Sequence, residues 1–192
     1  MENLEQKEKE SIASPEKPPM LYHGSAHKGL EELQPQSRPH RAEEGELLYA
    51  TPDMAISSIF LVEGAHYGCG KFGNVPYAWI IADRDEFIRN DKGGHIYVVP
   101  SDSFEINRGR GMGNDEYASD KPVQPVKAME YSSAVDAMVE NGVQVYFIDQ
   151  ETYEHVQMSK DHGYSIFNGI QSENQRRGTN VRQLNEQQKF QD

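Results

Sequence analysis

Cysteine is almost absent from this 192-residue chain, which contains only Cys69. A single cysteine forms no intramolecular disulfide, so the sequence gives no sign of an oxidising compartment. No apolar run approaches the roughly 20 residues of a membrane-spanning helix. The first ten residues, MENLEQKEKE, lack the apolar core of a secretory signal. We therefore expect a soluble, cytoplasmic protein with no membrane partner, although export by a route that reads no N-terminal signal would leave the same sequence.

Basic residues are also scarce: 19 Lys and Arg stand against 31 Asp and Glu, a formal net charge of −12. A protein that binds nucleic acid regardless of sequence gains affinity by releasing counterions from phosphates, which needs a basic surface. The acidic balance argues against that class of partner and against an anionic membrane surface. Arg108 and Arg110 form a local basic cluster within this acidic chain.

Polar residues are concentrated at the two ends of the chain. Residues 1–18 are charged and end in a Pro-rich stretch, and residues 171–192 are rich in Gln, Asn and Arg. Neither segment offers enough apolar surface to offset the entropy lost on ordering, so we expect a disordered N-terminal arm and a disordered polar tail. Residues 19–170 are predicted to form one folded domain, in keeping with the chain length.

Short strands and helices in irregular order predict an α+β fold rather than a doubly wound parallel one. One helix is predicted from an N-cap at Asp53 to about His66, and another from Ser132 or Ser133 to Asn141-Gly142. Strands are predicted at Met20–Tyr22, Leu47–Thr51, Tyr77–Ala82, His95–Val99, Glu116–Ser119, Val123–Met129 and Val143–Ile148.

Three segments join short apolar runs to polar residues: MLYHGS at 20–25, LLYATPDMAISSIF at 47–60 and NDEYASDKPVQPVKAMEY at 114–131. In this order they resemble the NAD-binding cleft of ADP-ribosyltransferases of the poly(ADP-ribose) polymerase and diphtheria-toxin type. That family has a His-Gly-(Ser/Thr) strand, then a strand with a Tyr that runs into a helix with a Ser. A Glu stands at the head of a later strand. The resemblance covers roughly residues 20 to 148.

The resemblance implies an ADP-ribosyltransferase-like split β-sheet core with a few short helices, with NAD as substrate and no metal. It implies that the catalytic residues are His23, Tyr49 and Glu116. It also implies that the residues that bind NAD are His23, Gly24, Ser25, Tyr49, Ser57 and Phe60.

Each implied role has a chemical reason. His23 would bond a ribose hydroxyl on the adenosine side, which neutral imidazole can do as donor or acceptor. Gly24 would present its main-chain N–H and C=O to the nicotinamide amide. Tyr49 and Phe60 would stack on the two faces of the nicotinamide ring, and the Ser57 hydroxyl would donate to its carbonyl.

Transfer of ADP-ribose breaks the nicotinamide–ribose bond through an oxocarbenium-like transition state, as in glycoside hydrolysis. The leaving group already carries positive charge, so the site needs no acid to expel it. One preorganised carboxylate can stabilise the positive charge that develops on the ribose. The resemblance gives this role to Glu116, together with binding of the nicotinamide-ribose 2′-hydroxyl and polarisation of the acceptor.

Departures from the family pattern narrow the expected activity. Leu47 and Leu48 stand where a Gly usually precedes the second strand, and Phe60 replaces the commoner Tyr. The stretch from Tyr49 to Glu116 is shorter than in the polymerases, which favours a toxin- or effector-like mono-ADP-ribosyltransferase with an unknown acceptor macromolecule. Arginine-directed members carry a second Glu where this chain has Asn114, which argues against arginine as the acceptor.

Other readings remain open at this stage. The first is a catalytically inactive module that binds NAD or ADP-ribose on the same fold, since fold does not settle function. The second is an RNA 2′-phosphotransferase-like enzyme, and the third is an unrelated interaction scaffold. The loop at 109–113, GRGMG, lacks the strand–helix context of a phosphate-binding loop and predicts a turn. His23 and His27 are not a helical metal pair, because Gly24 and Ser25 intervene.

Overall fold

The computed structural model describes residues 17–37, 39–107, 115–160, 165–167 and 181–183. In these ranges the fold is α+β, with several mainly antiparallel sheets and a few short helices. No helix in this part of the chain is long and apolar enough to cross a membrane. The predicted α+β class is therefore confirmed at this level.

The elements are short throughout. The strands are β1 (Met20–Ser25), β2 (Gln36–Ser37), β3 (Glu46–Ala50), β4 (His66–Phe72), β5 (Val75–Ile81), β6 (Gly94–Pro100), β7 (Glu105–Ile106), β8 (Tyr117–Ser119), β9 (Lys127–Tyr131), β10 (Gln144–Ile148) and β11 (Val181–Gln183). The α-helices are α1 (Met54–Ile59), α2 (Arg84–Asn90), α3 (Ala134–Glu140) and α4 (Gln150–Met158), and a 3₁₀ helix covers Pro39–Glu44.

Two of the three sheets that the described residues form meet at one backbone bridge. The first sheet has the order β1-β6-β9 and is antiparallel, and the second has the order β2-β3-β8-β7 and is also antiparallel. Between them β1 and Thr51, the residue directly after β3, form one bridge, in which the N–H of Tyr22 donates to the Thr51 carbonyl at 2.7 Å and the N–H of Thr51 donates to the Tyr22 carbonyl at 2.9 Å. The two strands therefore touch at this pair of residues and belong to different sheets on either side of it.

The third sheet packs against helices on both of its faces. Its order is β11-β10-β5-β4, with β10 parallel to β5 and β11, and β4 antiparallel to β5. Apolar residues of α1 and α3 pack against one face of β5 and β10, and Val156 of α4 packs with Phe167 against the other. A separate apolar cluster fills the space between the first two sheets, around Leu21, Leu48 and Tyr97.

The first predicted helix is too long. The structure ends α1 at Ile59, with Phe60 as its C-cap, and residues from His66 onward form β4. Leu61 and Val62 continue the apolar pattern and are buried, but they lie beyond the helix. Gly64 then adopts a φ of 75°, which reverses the chain toward β4.

The predicted strand at Val123–Met129 also needs correction. Its first part contributes only an isolated bridge between Val123 and Leu33, and the regular strand is β9, which starts at Lys127. Pro125 explains the difference, because proline has no N–H to give to a β-ladder. The helix predicted from Ser133 is confirmed, since the Ser133 side chain accepts a hydrogen bond from the Asp136 N–H at the start of α3.

Several predictions fall largely outside the described residues. They are the disordered arm up to residue 16, the turn at 109–113 with the neighbouring Arg108, and most of the polar tail at 171–192. Asn114, which argues against arginine as the acceptor, also lies outside the described residues. Within that tail the structure describes Val181–Gln183, which pair with β10 as a short parallel strand.

Candidate functional site

The candidate site lies where β1 and β3 diverge beyond the Tyr22–Thr51 bridge. The next contact between the two strands comes from a side chain: Nδ1 of His23 lies 2.7 Å from the Tyr49 carbonyl oxygen. A carbonyl oxygen only accepts hydrogen bonds, so Nδ1 carries a proton and donates it. This bond fixes the imidazole ring at the mouth of the gap between the two strands.

Gly24 presents its main chain to this gap. Backbone groups along an antiparallel strand point alternately to opposite sides. The Tyr22 amide and carbonyl face β3, so those of Gly24, two residues on, face the same way. An added Cβ at Gly24 would lie 1.9 Å from the carbonyl oxygen of Ser57, so only glycine lets β1 pass this close to α1.

Two adjoining cavities lie at the gap. The larger, about 260 Å³, has among its lining residues His23, Gly24, Ser25, Tyr49 and Phe60. The smaller, about 20 Å³, is lined by His23, Gly24, Tyr49 and Phe60 together with Glu116 and three neighbours. The two cavities are thus lined by six of the seven site residues that the family resemblance implies.

Aromatic rings form the wall of the larger cavity. Tyr49 is buried at the end of β3, and Phe60 is half-buried at the C-terminus of α1. The Phe60 ring meets the ring of Tyr67, on β4, edge to face at 6.4 Å between centroids. Tyr67 also lines the larger cavity. The sequence analysis missed Tyr67 because it assigned no strand to residues 66–72.

Glu116 is a buried carboxylate, with 5% of its surface exposed. It lies immediately before β8, and Asn107 holds it twice. The Asn107 N–H donates to the Glu116 carbonyl at 2.8 Å, and Asn107 Nδ2 donates to Glu116 Oε1 at 2.8 Å. A second carboxylate, Glu44 from the 3₁₀ helix, accepts a hydrogen bond from the Tyr49 hydroxyl at 2.8 Å. Neither Asn107 nor Glu44 carries a sequence signal, since Asn107 lies outside the helices and strands and the 3₁₀ helix of Glu44 has no predictive pattern.

Ser57 is the one predicted site residue that lines neither cavity. Ser57 is fully buried in α1, and among the described residues its hydroxyl oxygen has no hydrogen-bond partner. Its carbonyl packs against Gly24 at the position where a Cβ would lie, so Ser57 is separated from the gap by β1. A buried hydroxyl without a partner is costly, and this one lies next to the candidate site.

Lys71, near the C-terminal end of β4, forms ion pairs with two carboxylates from different segments of the chain. Its Nζ lies 3.1 Å from Oδ2 of Asp53, the N-cap of α1, and 2.7 Å from Oδ2 of Asp115, which precedes Glu116. Burial lowers the pKa of the Lys71 ammonium, but the hydrogen bonds and charges of the two carboxylates outweigh burial and raise this pKa above the ordinary lysine value.

Replacing Lys71 with Met should lower the free energy of unfolding by about 1 kcal/mol, because it leaves two acidic side chains without their shared cation. The folded-state pKa is raised, so the contribution is full at neutral pH and is lost only as the pH rises through that raised value. Urea unfolding of wild type and Lys71→Met at neutral pH measures the difference in the free energy of unfolding. Lys28→Met is the matched control, since Lys28 pairs with the exposed Glu130. Equal losses in the two variants would contradict the bridging role.

Cys69 lies on β4 between Tyr67 and Lys71. Burial raises the pKa of its thiol to about 11, and the negative charge of Glu116 adds to the shift. A thiol with so high a pKa is protonated at neutral pH and is a poor nucleophile. The Cys69 side chain packs, partly buried, against the main apolar core.

A third cavity, larger than these two, lies elsewhere in the described residues. It measures about 900 Å³, surrounds α2 and its flanking loops, and contains none of the predicted site residues. Its lining mixes Arg89 and Lys92 with Glu63, Asp83 and Glu86. The described ranges contain no group of three or more His, Cys, Asp or Glu side chains that could hold a metal ion.

No protein-family model matches this chain, and neither a curated protein nor a solved structure matches it.

Proposed function

We propose that this chain is an NAD-dependent mono-ADP-ribosyltransferase, built on an ADP-ribosyltransferase-like split sheet. It would break the nicotinamide–ribose bond of NAD and transfer ADP-ribose to an acceptor macromolecule. The observation that carries the proposal is that His23, Tyr49 and Glu116, which come from three distant segments, line one cavity where β1 and β3 diverge.

The larger cavity suits the nicotinamide ring. The smaller cavity, at about 20 Å³, has room for about one water molecule. The ring would therefore enter the 260 Å³ cavity, beside Tyr49 and Phe60. The nicotinamide of NAD is a cationic ring, and the face of an aromatic side chain attracts a cation electrostatically. The Gly24 amide and carbonyl, which face the gap, would pair with the carboxamide of the ring.

His23 suits a ribose hydroxyl. Its Nδ1–H is committed to the Tyr49 carbonyl, so Nε2 of the neutral imidazole is an acceptor. A sugar hydroxyl can donate to that nitrogen. The same bond keeps the imidazole in one tautomer, which removes an ordering cost from ligand binding.

Glu116 suits the developing charge on the nicotinamide ribose. It is buried and held by Asn107, so its negative charge is little screened by water and need not reorganise during reaction. The same burial also favours a second candidate, a module that binds NAD or ADP-ribose without turnover, in which Glu116 is a structural carboxylate. An RNA 2′-phosphotransferase is less well supported, because among the described side chains neither cavity is lined by Lys or Arg.

NAD binding tests the proposal, and His23→Ala should weaken it. Loss of one hydrogen bond to a neutral group costs about 1 kcal/mol, which raises Kd about fivefold. Calorimetric titration of NAD into both proteins measures the change. The matched control is His66→Ala, because His66 contacts Trp79 and Tyr153 and lines neither cavity. Absence of any NAD or nicotinamide binding by the wild-type chain would overturn the proposal.

A further inference from the structure

A chain of hydrogen bonds joins two of the three proposed catalytic residues through two residues outside the family pattern. The Tyr49 hydroxyl donates to Glu44 Oε2 at 2.8 Å. Asn107 Nδ2 lies 3.4 Å from the same Glu44 oxygen and 2.8 Å from Glu116 Oε1. The primary amide has two N–H groups, so one nitrogen can donate to both carboxylates. The chain therefore runs from Tyr49 through Glu44 and Asn107 to Glu116.

The two carboxylates in this hydrogen-bond network make Asn107 hard to replace. Its two distances place the Glu44 and Glu116 oxygens within about 6 Å of each other, in a partly buried region where like charges repel more than in water. The Asn107 amide stands between them as a neutral donor to both. Its main-chain bond to the Glu116 carbonyl fixes the backbone from which the carboxylate projects, so side chain and main chain act on the same residue.

We propose that Asn107 is the positioning residue of this site, and that it sets the Glu116 carboxylate relative to the Tyr49 ring with Glu44 as its anchor. This inference rests on the proposed transferase function. A carboxylate that must face a developing oxocarbenium ion gains most from being fixed in advance. Misplacement by about 1 Å can cost about a hundredfold in rate. The effect falls mainly on turnover rather than on NAD affinity, because the charge of Glu116 acts chiefly in the transition state.

The test is steady-state nicotinamide release by the full chain, with lysate as the source of acceptor, for Asn107→Asp and Asn107→Ala. Either change should lower kcat about tenfold or more and leave KM for NAD within about threefold of wild type. Asn90→Asp is the matched control, because the Asn90 amide donates only to the Glu86 carbonyl on the exposed side of α2. That variant should match wild type.

The pH profile separates positioning from a general structural role. Asn107→Asp places a third carboxylate beside Glu44 and Glu116, with the Tyr49 hydroxyl on Glu44 and the Cys69 thiol near Glu116. Neighbouring negative charge raises the pKa of the new carboxyl, so it takes up a proton as the pH falls and becomes a donor again. Activity relative to wild type should therefore rise by at least about threefold from about pH 8 to about pH 5.5, and Asn107→Ala should show no such rise.

The possible failures are distinguishable. If wild type releases nicotinamide and both Asn107 variants keep its kcat, the positioning role is wrong and the transferase proposal stands. The positioning role is also wrong if kcat falls but the Asn107→Asp profile follows that of Asn107→Ala. If wild type releases none, the transferase proposal and this inference fall together. Glu44→Gln, which keeps an acceptor oxygen for both bonds, should retain most of the activity, and Glu44→Leu should lose as much as Asn107→Ala.

Discussion

Replacing Glu116 with Gln should abolish NAD turnover while NAD affinity stays close to the wild-type value. Gln keeps the size of the side chain and an oxygen that can accept the Asn107 hydrogen bond, but it removes the negative charge. An interaction made mainly in the transition state lowers kcat rather than affinity. Loss of one preorganised electrostatic group costs about a hundred- to a thousandfold in rate. Nicotinamide release and calorimetric titration measure the two quantities on the same protein.

Glu130 provides the control for this experiment, because it is the rival carboxylate beside Tyr131 in the same segment. Glu130 is exposed and pairs with Lys28 at 3.2 Å, and this hydrogen bond lowers the pKa of its carboxyl. It lines neither cavity. Glu130→Gln should therefore turn over NAD at the wild-type rate. An inactive Glu130→Gln beside an active Glu116→Gln would show that the wrong carboxylate has been assigned.

Replacing Gly24 with Ala should destabilise the fold and abolish detectable NAD binding. The added Cβ would lie 1.9 Å from the Ser57 carbonyl oxygen and 3.1 Å from Cδ1 of Leu61. The first of these atoms belongs to the main chain of α1, so the helix itself must move. Overpacking of this kind costs about 1–3 kcal/mol, and we expect the upper end of that range. A shift of α1 also moves Phe60, its C-cap, out of its position on the cavity wall.

Gly68→Ala separates the two effects of the Gly24 change. Its added Cβ would lie 2.2 Å from the Trp79 ring, so this variant should also lose stability. Gly68 and Trp79 line neither cavity. Urea unfolding should show losses in both variants, whereas NAD titration should fail only for Gly24→Ala. Normal NAD binding by folded Gly24→Ala would contradict the placement of the ring against β1.

Several strands, including β1 and β3 at the site, could be predicted because their side chains follow simple patterns. The segments that became β1, β3, β6, β8 and β10 contain short runs of apolar and β-branched or aromatic residues. The α3 start was also predictable, because Ser133 caps the helix with its own side chain. These signals are local, and a single sequence contains them in full.

The strand β4 could not be predicted because aromatic residues of the neighbouring strand β5, and not its own residues, favour its strand conformation. Gly68 and Gly70 are poor strand formers, but the rings of Trp79 and Tyr77, directly opposite on β5, lie over them. Cross-strand rings can offset the weakness of a strand glycine. For the same reason the sequence analysis missed Tyr67 and Lys71, which lie on β4 at the edge of the site.

The polar connections of the site also escaped prediction, for a related reason. Glu44 and Asn107 lie 63 positions apart and act through one shared hydrogen-bond network. Nothing in the residues near either one marks it, because only the folded chain brings the 3₁₀ helix beside the end of β7. The short polar helices α2 and α4 were missed because they lack the apolar periodicity that indicates a helix.

Transfer of label from NAD tests the central claim most directly. The full chain would be incubated with whole-cell lysate and NAD labelled in its adenylate half, and the label retained on macromolecules would be measured together with released nicotinamide. We predict that wild type attaches label, with one nicotinamide released for each ADP-ribose transferred or hydrolysed, and that Glu116→Gln attaches none. Absence of both attached label and released nicotinamide with the wild-type chain, in every lysate tried, would contradict the account.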